Sequence, residues 1–305
     1  MNLYQFSKFC LASDIEFPEL LRWDSDYIPE VVDITIRLGT VKRSNDSQFV
    51  DSQSIVGSVS DVADFAFYHG SELVVSPKST VDAALLRTVI LGPALCLLMK
   101  QKGLLVLHAS CVNINNHAVA FMGGPGWGKS TMVTAFHRHG YAVLTDDVMP
   151  VEIVDGIARV LPSYPQFKVS SEALISLGED VSNLSTVYQS SHKLSYKFSR
   201  GFQTKPLPLE KIYILRKGAQ HKISSVTPQQ AFGELIRHTR AINLVKENRE
   251  LATQHFQLST QLLKLVEFKT FTRKPALEDL PDLIKLVEAD INASAPHQTA
   301  TAVTG

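Results

Sequence analysis

The sequence predicts an α/β protein with a mixed sheet, in which a phosphate-binding loop joins a buried strand to a helix. Five mostly apolar residues, Ala118 to Met122, are typical of a buried strand. An apolar-periodic helix begins at Lys129. Between them the chain satisfies the pattern G-x-x-x-x-G-K-[ST] through Gly123, Gly128, Lys129 and Ser130. Strand and helix signals then alternate along the chain, as they do in α/β proteins.

Composition restricts the class of protein. The chain has 305 residues, enough for one large domain or two smaller ones, and its 45% hydrophobic and 20% charged residues are ordinary for a soluble protein. Lys and Arg (30) balance Asp and Glu (30), so neither nucleic acid nor a membrane surface is an expected partner. Cys10, Cys96 and Cys111 share no metal-ligand spacing, which indicates reduced structural thiols in a cytoplasmic protein. The N-terminus lacks the pattern of a signal peptide.

Residues 1–103 are predicted to form a β-rich region that ends in a buried helix. Polar turns are predicted at 44–48 and 51–54, and we expect the region to flank the nucleotide domain or to recognise a partner. The predicted strands are short and apolar or alternate at period two: Leu3–Phe6, Phe9–Ala12, Val31–Leu38, Phe65–Tyr68 and Leu73–Val75.

One apolar run is long enough to be confused with a membrane span. Ala83 to Met99 has about 17 residues, which is the lower limit for crossing a bilayer. It contains Arg87, Gly92 and Pro93. We therefore predict a buried helix over 82–102, kinked at Pro93, rather than a span.

A catalytic domain is predicted over residues 104–291. A strand over Leu104–Val112, an Asn-rich turn and the strand Ala118–Met122 suggest a hairpin, so the sheet is expected to be mixed. The helix after the loop is predicted to end at Gly140, and the next strand, Tyr141–Thr145, leads into Asp146-Asp147.

Further elements follow, and a flexible tail is expected over 292–305. The predicted elements are two strands within Val148–Leu161 with a hairpin at Asp155-Gly156, a helix over Ser171–Leu177, an irregular segment over Gly178–Pro208, strands over Leu209–Arg216 and Ile223–Val226, helices over Pro228–Leu244 and Glu247–Gln261, a strand over Leu262–Lys269 and a helix over Leu280–Ile291.

The loop pattern predicts binding of ATP with Mg²⁺. Glycines allow backbone N–H groups to converge on phosphate oxygens, and the helix N-terminus adds positive potential. Lys129 is placed to reach the β- and γ-phosphates and Ser130 to ligate Mg²⁺. An ordinary glycine-rich turn is the alternative. The predicted nucleotide-binding residues are Gly123, Gly124, Pro125, Gly126, Trp127, Gly128, Lys129, Ser130 and Thr131.

Two aspartates and one histidine are the other candidates for chemistry. Asp146 and Asp147 follow a strand at the edge where α/β proteins bind ligands, so one is expected to hold Mg²⁺, directly or through water, while the other faces the acceptor. Merely ending a strand is the alternative. His108 lies in an apolar run, where a core histidine is the commoner interpretation. A basic cluster supplies charge to the phosphoryl group or forms an exposed surface: Lys193, Lys197, Arg200, Arg237 and Arg240.

These residues resemble the catalytic domain of the HPr kinase/phosphorylase family over residues 104–150. The resemblance is carried by His108-Ala, by Gly-Gly-Pro-Gly-Trp-Gly-Lys-Ser-Thr and by His139-Gly-Tyr-Ala-Val-Leu-Thr-Asp-Asp-Val. Leu161-Pro-Ser-Tyr-Pro and the helices within 231–263 look like the shorter HPr-kinase-related proteins. The resemblance implies a nucleotide domain like that of phosphoenolpyruvate carboxykinase and ATP-dependent phosphorylation of a serine hydroxyl.

The resemblance also implies residue roles. Lys129 matches the phosphate-loop lysine, Ser130 the Mg²⁺ ligand, Asp147 the proton acceptor and His108 the active-site histidine, while Asp146 would support the metal. No counterpart of the family's Glu-[IV]-Arg-Gly segment is present, and the N-terminal part does not match the regulatory domain. The resemblance therefore does not extend to phosphorylase activity or to HPr as substrate.

The leading hypothesis is a cytoplasmic kinase that transfers the γ-phosphoryl group of ATP to a serine of a protein or peptide. The alternatives are a small-molecule kinase of the same fold and a nucleotide-binding regulator with little turnover. No nucleic-acid or membrane partner is expected, and a homo-oligomer is left open.

Overall fold

The computed structural model describes residues 1–23, 31–42, 53–240 and 248–294. These residues form two main sheets and a two-stranded ribbon with helices packed around them, so the predicted mixed α/β class is confirmed. Several predictions lie wholly or partly outside the described residues, namely the turns predicted at 44–48 and 51–54, the chain between 241 and 247, and the tail from 295 onward.

The first sheet is built from the N-terminal region. Among the described residues its seven strands have the order β3-β1-β2-β4-β7-β6-β5. Their bounds are β1 Asn2–Phe6, β2 Phe9–Ser13, β3 Leu21–Arg22, β4 Ile34–Leu38, β5 Ser54–Val59, β6 Ala63–Tyr68 and β7 Glu72–Pro77. The region is rich in strands, and β3 and β5 are strands that the sequence did not indicate.

The apolar run forms two helices, α1 (Ala83–Val89) and α2 (Leu95–Gln101), joined by a π-helical turn over Ile90–Ala94. The kink predicted at Pro93 is confirmed, with the adjacent Gly92 at φ −94° and ψ −106°. The stretch Ala83–Gln101 is long and apolar enough to cross a membrane by length and composition, but 61% of its most apolar window is buried inside the protein. That burial is typical of a core helix in a soluble protein.

The second sheet carries the predicted phosphate loop. Its bounds are β8 Leu105–Leu107, β9 Ala109–Ile114, β10 His117–Met122, β11 Val143–Thr145, β12 Met149–Val154, β13 Ile157–Val160, β16 Leu207–Lys217, β17 Lys222–Ser225 and β18 Glu267–Arg273. β9 and β10 form the predicted antiparallel hairpin, whereas β10, β16 and β18 run parallel, so the sheet is mixed as expected. Asn115 and Asn116 turn the hairpin at φ 53° and 63°.

The strand predicted over Leu104–Val112 is interrupted at His108. β8 pairs with β12, whereas β9 pairs with β10 and β11, so the chain changes partner at this residue. A continuous apolar run does not reveal such a break, because both halves are buried to the same degree. The break places His108 at the end of one strand rather than inside the sheet.

The segment over Gly178–Pro208, predicted to be irregular, contains strand β15 (Leu194–Lys197). β15 pairs with β14 (Gln166–Val169), and the two form a separate ribbon. The prediction missed this pairing because both strands have only four residues, and each forms only by pairing with the other.

The helices are α3 Lys129–Arg138, α4 Ser171–Ser176, α5 Pro228–Arg237, α6 Arg249–Leu265 and α7 Leu280–Ser294. The helix predicted to reach Leu244 ends at Arg237, since Thr239 forms a β-bridge to Leu107 and the Arg240 N–H donates to Val106 O. The starting residue predicted for the next strand, Leu262, is also wrong. Helix α6 continues to Leu265, and β18 follows at Glu267.

The two parts of the chain share a hydrophobic core. The cluster that contains the first sheet, α1 and α2 also includes Leu104, Val106, Val148, Leu161 and Tyr164. The N-terminal region is therefore packed directly against the segment that holds the two aspartates.

Candidate active site

The predicted phosphate loop closes around its own lysine. Gly126 and Gly128 have φ of 70° and 75°, a region that favours glycine, and α3 begins at Lys129. The Lys129 side chain is buried, and its Nζ donates to Gly123 O at 2.8 Å and to Gly124 O at 3.3 Å. The loop backbone therefore surrounds one ammonium group at the N-terminus of α3, the end of a helix that favours anions.

Two arginines on neighbouring parallel strands support the loop. Arg273, at the end of β18, donates to Trp127 O, and its Nε is buried without a hydrogen-bond partner in the described part of the chain. Arg216, near the end of β16, lies over the Trp127 ring at 5.2 Å and pairs with Glu234 at 2.7 Å. We did not single out either arginine from the sequence. The sequence could have indicated both arginines, because they lie at the carboxyl ends of strands, where α/β proteins bind ligands.

Asp146 is held deep inside the protein. Its side chain is 2% exposed, and Ser110 Oγ donates to its Oδ1 at 2.6 Å while the backbone N–H of Lys168 donates to Oδ2 at 3.0 Å. Each oxygen thus accepts one hydrogen bond and retains a further lone pair. These two hydrogen bonds fix the position of the Asp146 carboxyl group.

Asp147 adopts a backbone conformation that is uncommon for a residue other than glycine. Its φ is 78°, which costs of order 1 kcal/mol. Arg240 pairs with Oδ1 and donates to the backbone oxygen at 3.3 Å, and Lys168 Nζ lies 3.3 Å from Oδ2. Strain of this sort concentrates at functional sites, and here two cations hold the residue in place.

His108 faces Asp147 from the break between β8 and β9. Its Nε2 lies 3.1 Å from Asp147 Oδ1, and its backbone N–H donates to His238 O at 2.7 Å. Burial lowers the pKa of His108 to about 2, and the charges of Arg240 and Lys129 act in the same direction. These effects favour the neutral form of the imidazole.

Lys129 interacts electrostatically with Asp146, Arg240 and His108. Burial lowers the pKa of Lys129 to about 8, the charge of Asp146 opposes that shift, and Lys193 and Arg240 reinforce it. Lys129 also lowers the pKa of His108. One charged site therefore contains Lys129, His108 and the residues around Asp146 and Asp147.

The structure separates the members of the predicted basic cluster. Arg240 contacts Asp147, and Lys193 contributes charge to the site. Lys197 instead donates to Pro18 O at 3.1 Å, and Arg237 pairs with Glu234 at 2.7 Å.

Sequence reasoning missed two further residues, Lys168 and His238. Lys168 lies on β14, a strand that was not predicted. His238 is buried, and burial lowers its pKa to about 4, with Lys129 and His108 contributing.

The donor groups fit a nucleotide with Mg²⁺. Within the described residues no group of three or more His, Cys, Asp or Glu side chains could hold a metal ion by itself. Mg²⁺, however, is commonly bound through one or two protein oxygens together with substrate phosphates. The hydroxyl of Ser130, on the first turn of α3, and the buried Asp146 carboxylate are oxygen donors of that kind.

Comparisons with known proteins do not show which family the chain belongs to. No family model and no curated protein matches the chain. Among solved structures, the chain is similar to the HPr(Ser) kinase/phosphatase from Coxiella burnetii, with 11% identity, a TM-score of 0.32, and coverage of 61% of this chain and 98% of that one. At this TM-score the similarity by itself supports no conclusion about function.

Proposed function

We propose that the protein is an ATP- and Mg²⁺-dependent kinase that transfers the γ-phosphoryl group to a serine hydroxyl of a protein or peptide. One observation carries the proposal: Asp147 and His108 meet at 3.1 Å within electrostatic reach of the phosphate-loop lysine. A loop that only binds nucleotide does not need a second, strained carboxylate paired with a neutral imidazole.

The donor half of the site binds and orients the triphosphate. Backbone N–H groups over Gly123–Lys129 would cradle the β-phosphate, and Lys129 would exchange its bonds to Gly123 O and Gly124 O for phosphate oxygens. Mg²⁺, held by Ser130 with Asp146 in support, would neutralise charge on the β- and γ-phosphates. Arg273, which already holds the loop, has a buried Nε–H left to donate.

The acceptor half prepares the hydroxyl. Asp147 would accept the proton of the serine hydroxyl as the serine oxygen forms its bond to the γ-phosphorus. The bond between the γ-phosphorus and the β–γ bridging oxygen would break, and ADP would leave. His108, neutral and beside the same carboxylate, would position it as a hydrogen-bond donor. Arg240 and Lys168 supply positive charge where the transferring group carries negative charge.

A cytoplasmic location belongs to the same proposal. Cys10, Cys96 and Cys111 are all free and buried. Free thiols are expected in a reducing compartment, where ATP is also available.

One observation favours a nucleotide-binding regulator as the second candidate. The carboxylate of Asp147 already contacts Arg240, Lys168 and His108, which leaves few lone pairs to accept a proton. A kinase must release one of these contacts when the acceptor arrives, whereas a regulator need not.

Transfer of labelled γ-phosphate tests the proposal. The protein is incubated with ATP and Mg²⁺ and with separate pools of serine-containing peptides and of metabolites, and products are identified by mass spectrometry. We expect phosphopeptides, and we expect Lys129→Ala and Asp147→Asn to abolish them. Full activity of either variant would overturn the assignment of roles.

The other outcomes identify the alternatives. Products confined to the metabolite pool would make the protein a small-molecule kinase. Tight ATP binding without transfer to any acceptor would establish the regulator.

A further inference from the structure

A groove lies between the N-terminal region and the ribbon of β14 and β15. Its volume is about 510 Å³, within the range of ligand sites in proteins. One wall is a single face of α1, formed by Ala84, Arg87 and Thr88, and Leu91 of the π-helical turn continues that face at helical spacing. The opposite wall comes from the ribbon and from residues 183–187.

The groove reaches the candidate active site through one side chain. Lys168 lines the groove, and its Nζ lies 3.3 Å from Asp147 Oδ2. The backbone N–H of the same residue donates to Asp146. A molecule that displaces the Lys168 ammonium group from Asp147 would therefore lie against the carboxylate that we propose as the proton acceptor.

One buried polar atom at the groove, Glu19 Oε2, has no hydrogen-bond partner among the described residues. The other oxygen of Glu19 accepts from Arg87 Nε at 3.0 Å. Leaving such a buried carboxylate oxygen unsatisfied is unfavourable, so Glu19 favours a ligand that supplies a donor.

The remaining lining favours a peptide over an anionic metabolite. The cations are already engaged, Arg87 by Glu19, Lys197 by Pro18 O and Lys168 by Asp147. Neutral amide and hydroxyl side chains line much of the rest, among them Gln166, Asn183, Ser185, Thr186 and Ser195. Such groups pair with peptide N–H and C=O groups, and Glu19 would take a Lys or Arg side chain as its strongest donor.

We propose that this groove is the acceptor site and that it binds a peptide segment, with the serine at the Lys168 end and a basic side chain at Glu19. The proposal rests on the kinase function proposed above. It gives residues 1–103 a role, because Glu19 and α1 belong to that region while Asp147 does not. The N-terminal region then selects the acceptor, and the sheet with the phosphate loop supplies the donor.

A thiol placed in the groove allows the site to be blocked in folded protein. The natural chain has three cysteines, all buried, so Thr88→Cys introduces a thiol that N-cyclohexylmaleimide can modify selectively. Ala83→Cys is the matched control, since Ala83 is an exposed residue of α1 that does not line the groove. The probe is a library of nonapeptides with a central serine and one fixed residue at each other position in turn.

We expect modification of Thr88→Cys to lower peptide phosphorylation at least 10-fold, while ATP affinity stays unchanged and modified Ala83→Cys keeps full activity. We also expect the library to select Lys or Arg at one position, and Glu19→Gln to remove that preference without changing ATP affinity. Equal phosphorylation before and after modification of Thr88→Cys would overturn the groove as acceptor site. Absence of any basic preference would overturn the role of Glu19.

Failure of the kinase function gives a different result. In that case the unmodified natural protein phosphorylates no peptide at all, and both proposals fall together. If it phosphorylates peptides and the block has no effect, only the acceptor site is wrong.

Discussion

The donor and acceptor halves of the candidate site are built in opposite ways. The donor half is the continuous stretch Gly123–Thr131, and its buried lysine bonds to carbonyl groups of the same loop. The acceptor half gathers Asp147 with His108, Lys168 and Arg240, which come from separate parts of the chain. One half depends on local backbone geometry, and the other depends on the tertiary fold.

This difference affects how each half tolerates change. A loop held by its own backbone is sensitive to any substitution that its backbone conformation cannot accept. A cluster held by ion pairs is sensitive to the loss of one charge, because the partners that remain stay partly buried and unpaired. The following predictions test the two sensitivities separately.

Asp147→Asn is expected to have the largest effect. Loss of the proton acceptor should lower phosphoryl transfer by at least about 10²-fold, while ATP affinity changes little. The free energy of unfolding should also fall by roughly 2 kcal/mol, since Arg240 and Lys168 lose their shared anion. Transfer kinetics and chemical denaturation measure the two effects.

Asp155→Asn is the control for this substitution. Asp155 also has a positive φ, 52°, but it lies exposed in the turn between β12 and β13. The same chemical change should leave both activity and stability unaltered there. Equal losses in the two variants would show that the backbone conformation, rather than the ion pairs, makes Asp147 sensitive.

The same contrast explains which features could be predicted from sequence. The loop, the hairpin at Asn115-Asn116 and the hairpin at Asp155-Gly156 depend on residues adjacent in the chain, and the structure contains all three. The break at His108 arises because β8 and β9 choose different partners, which an apolar run cannot reveal. Lys168 reaches Asp147 from a ribbon strand that forms only by pairing with β15.

Two glycines of the loop allow the donor half to be tested by itself. Gly126 and Gly128 have nearly the same φ, 70° and 75°. A Cβ at Gly128 would lie 2.2 Å from Arg273 Nη2, whereas a Cβ at Gly126 would meet nothing within 4 Å. Gly126→Ala should therefore cost only the backbone strain, about 1 kcal/mol, or about fivefold in ATP affinity.

Gly128→Ala must in addition displace Arg273 from Trp127 O, so we expect a loss of ATP affinity of at least about 30-fold. Equilibrium binding of a non-hydrolysable ATP analogue measures both variants. Similar affinities for the two would mean that Arg273 does not brace the loop. In either variant the acceptor half should be intact, which unchanged spacing between Asp147 and His108 in a crystal structure would show.

The pH dependence of nucleotide binding should give the smallest effect between pH 6 and 7, and it also separates the halves. Burial lowers the pKa of Lys129 to about 8, so the ammonium form is present below that pH and is lost as pH rises through it. Binding of ATP needs the charged form, and affinity should therefore be nearly constant from pH 6 to 7 and fall above pH 8 by up to about tenfold per pH unit. Lys129→Arg should abolish the fall, because a guanidinium group stays charged over this range. If Asp147 and its cations governed binding instead, Asp147→Asn would change the profile and Lys129→Arg would not.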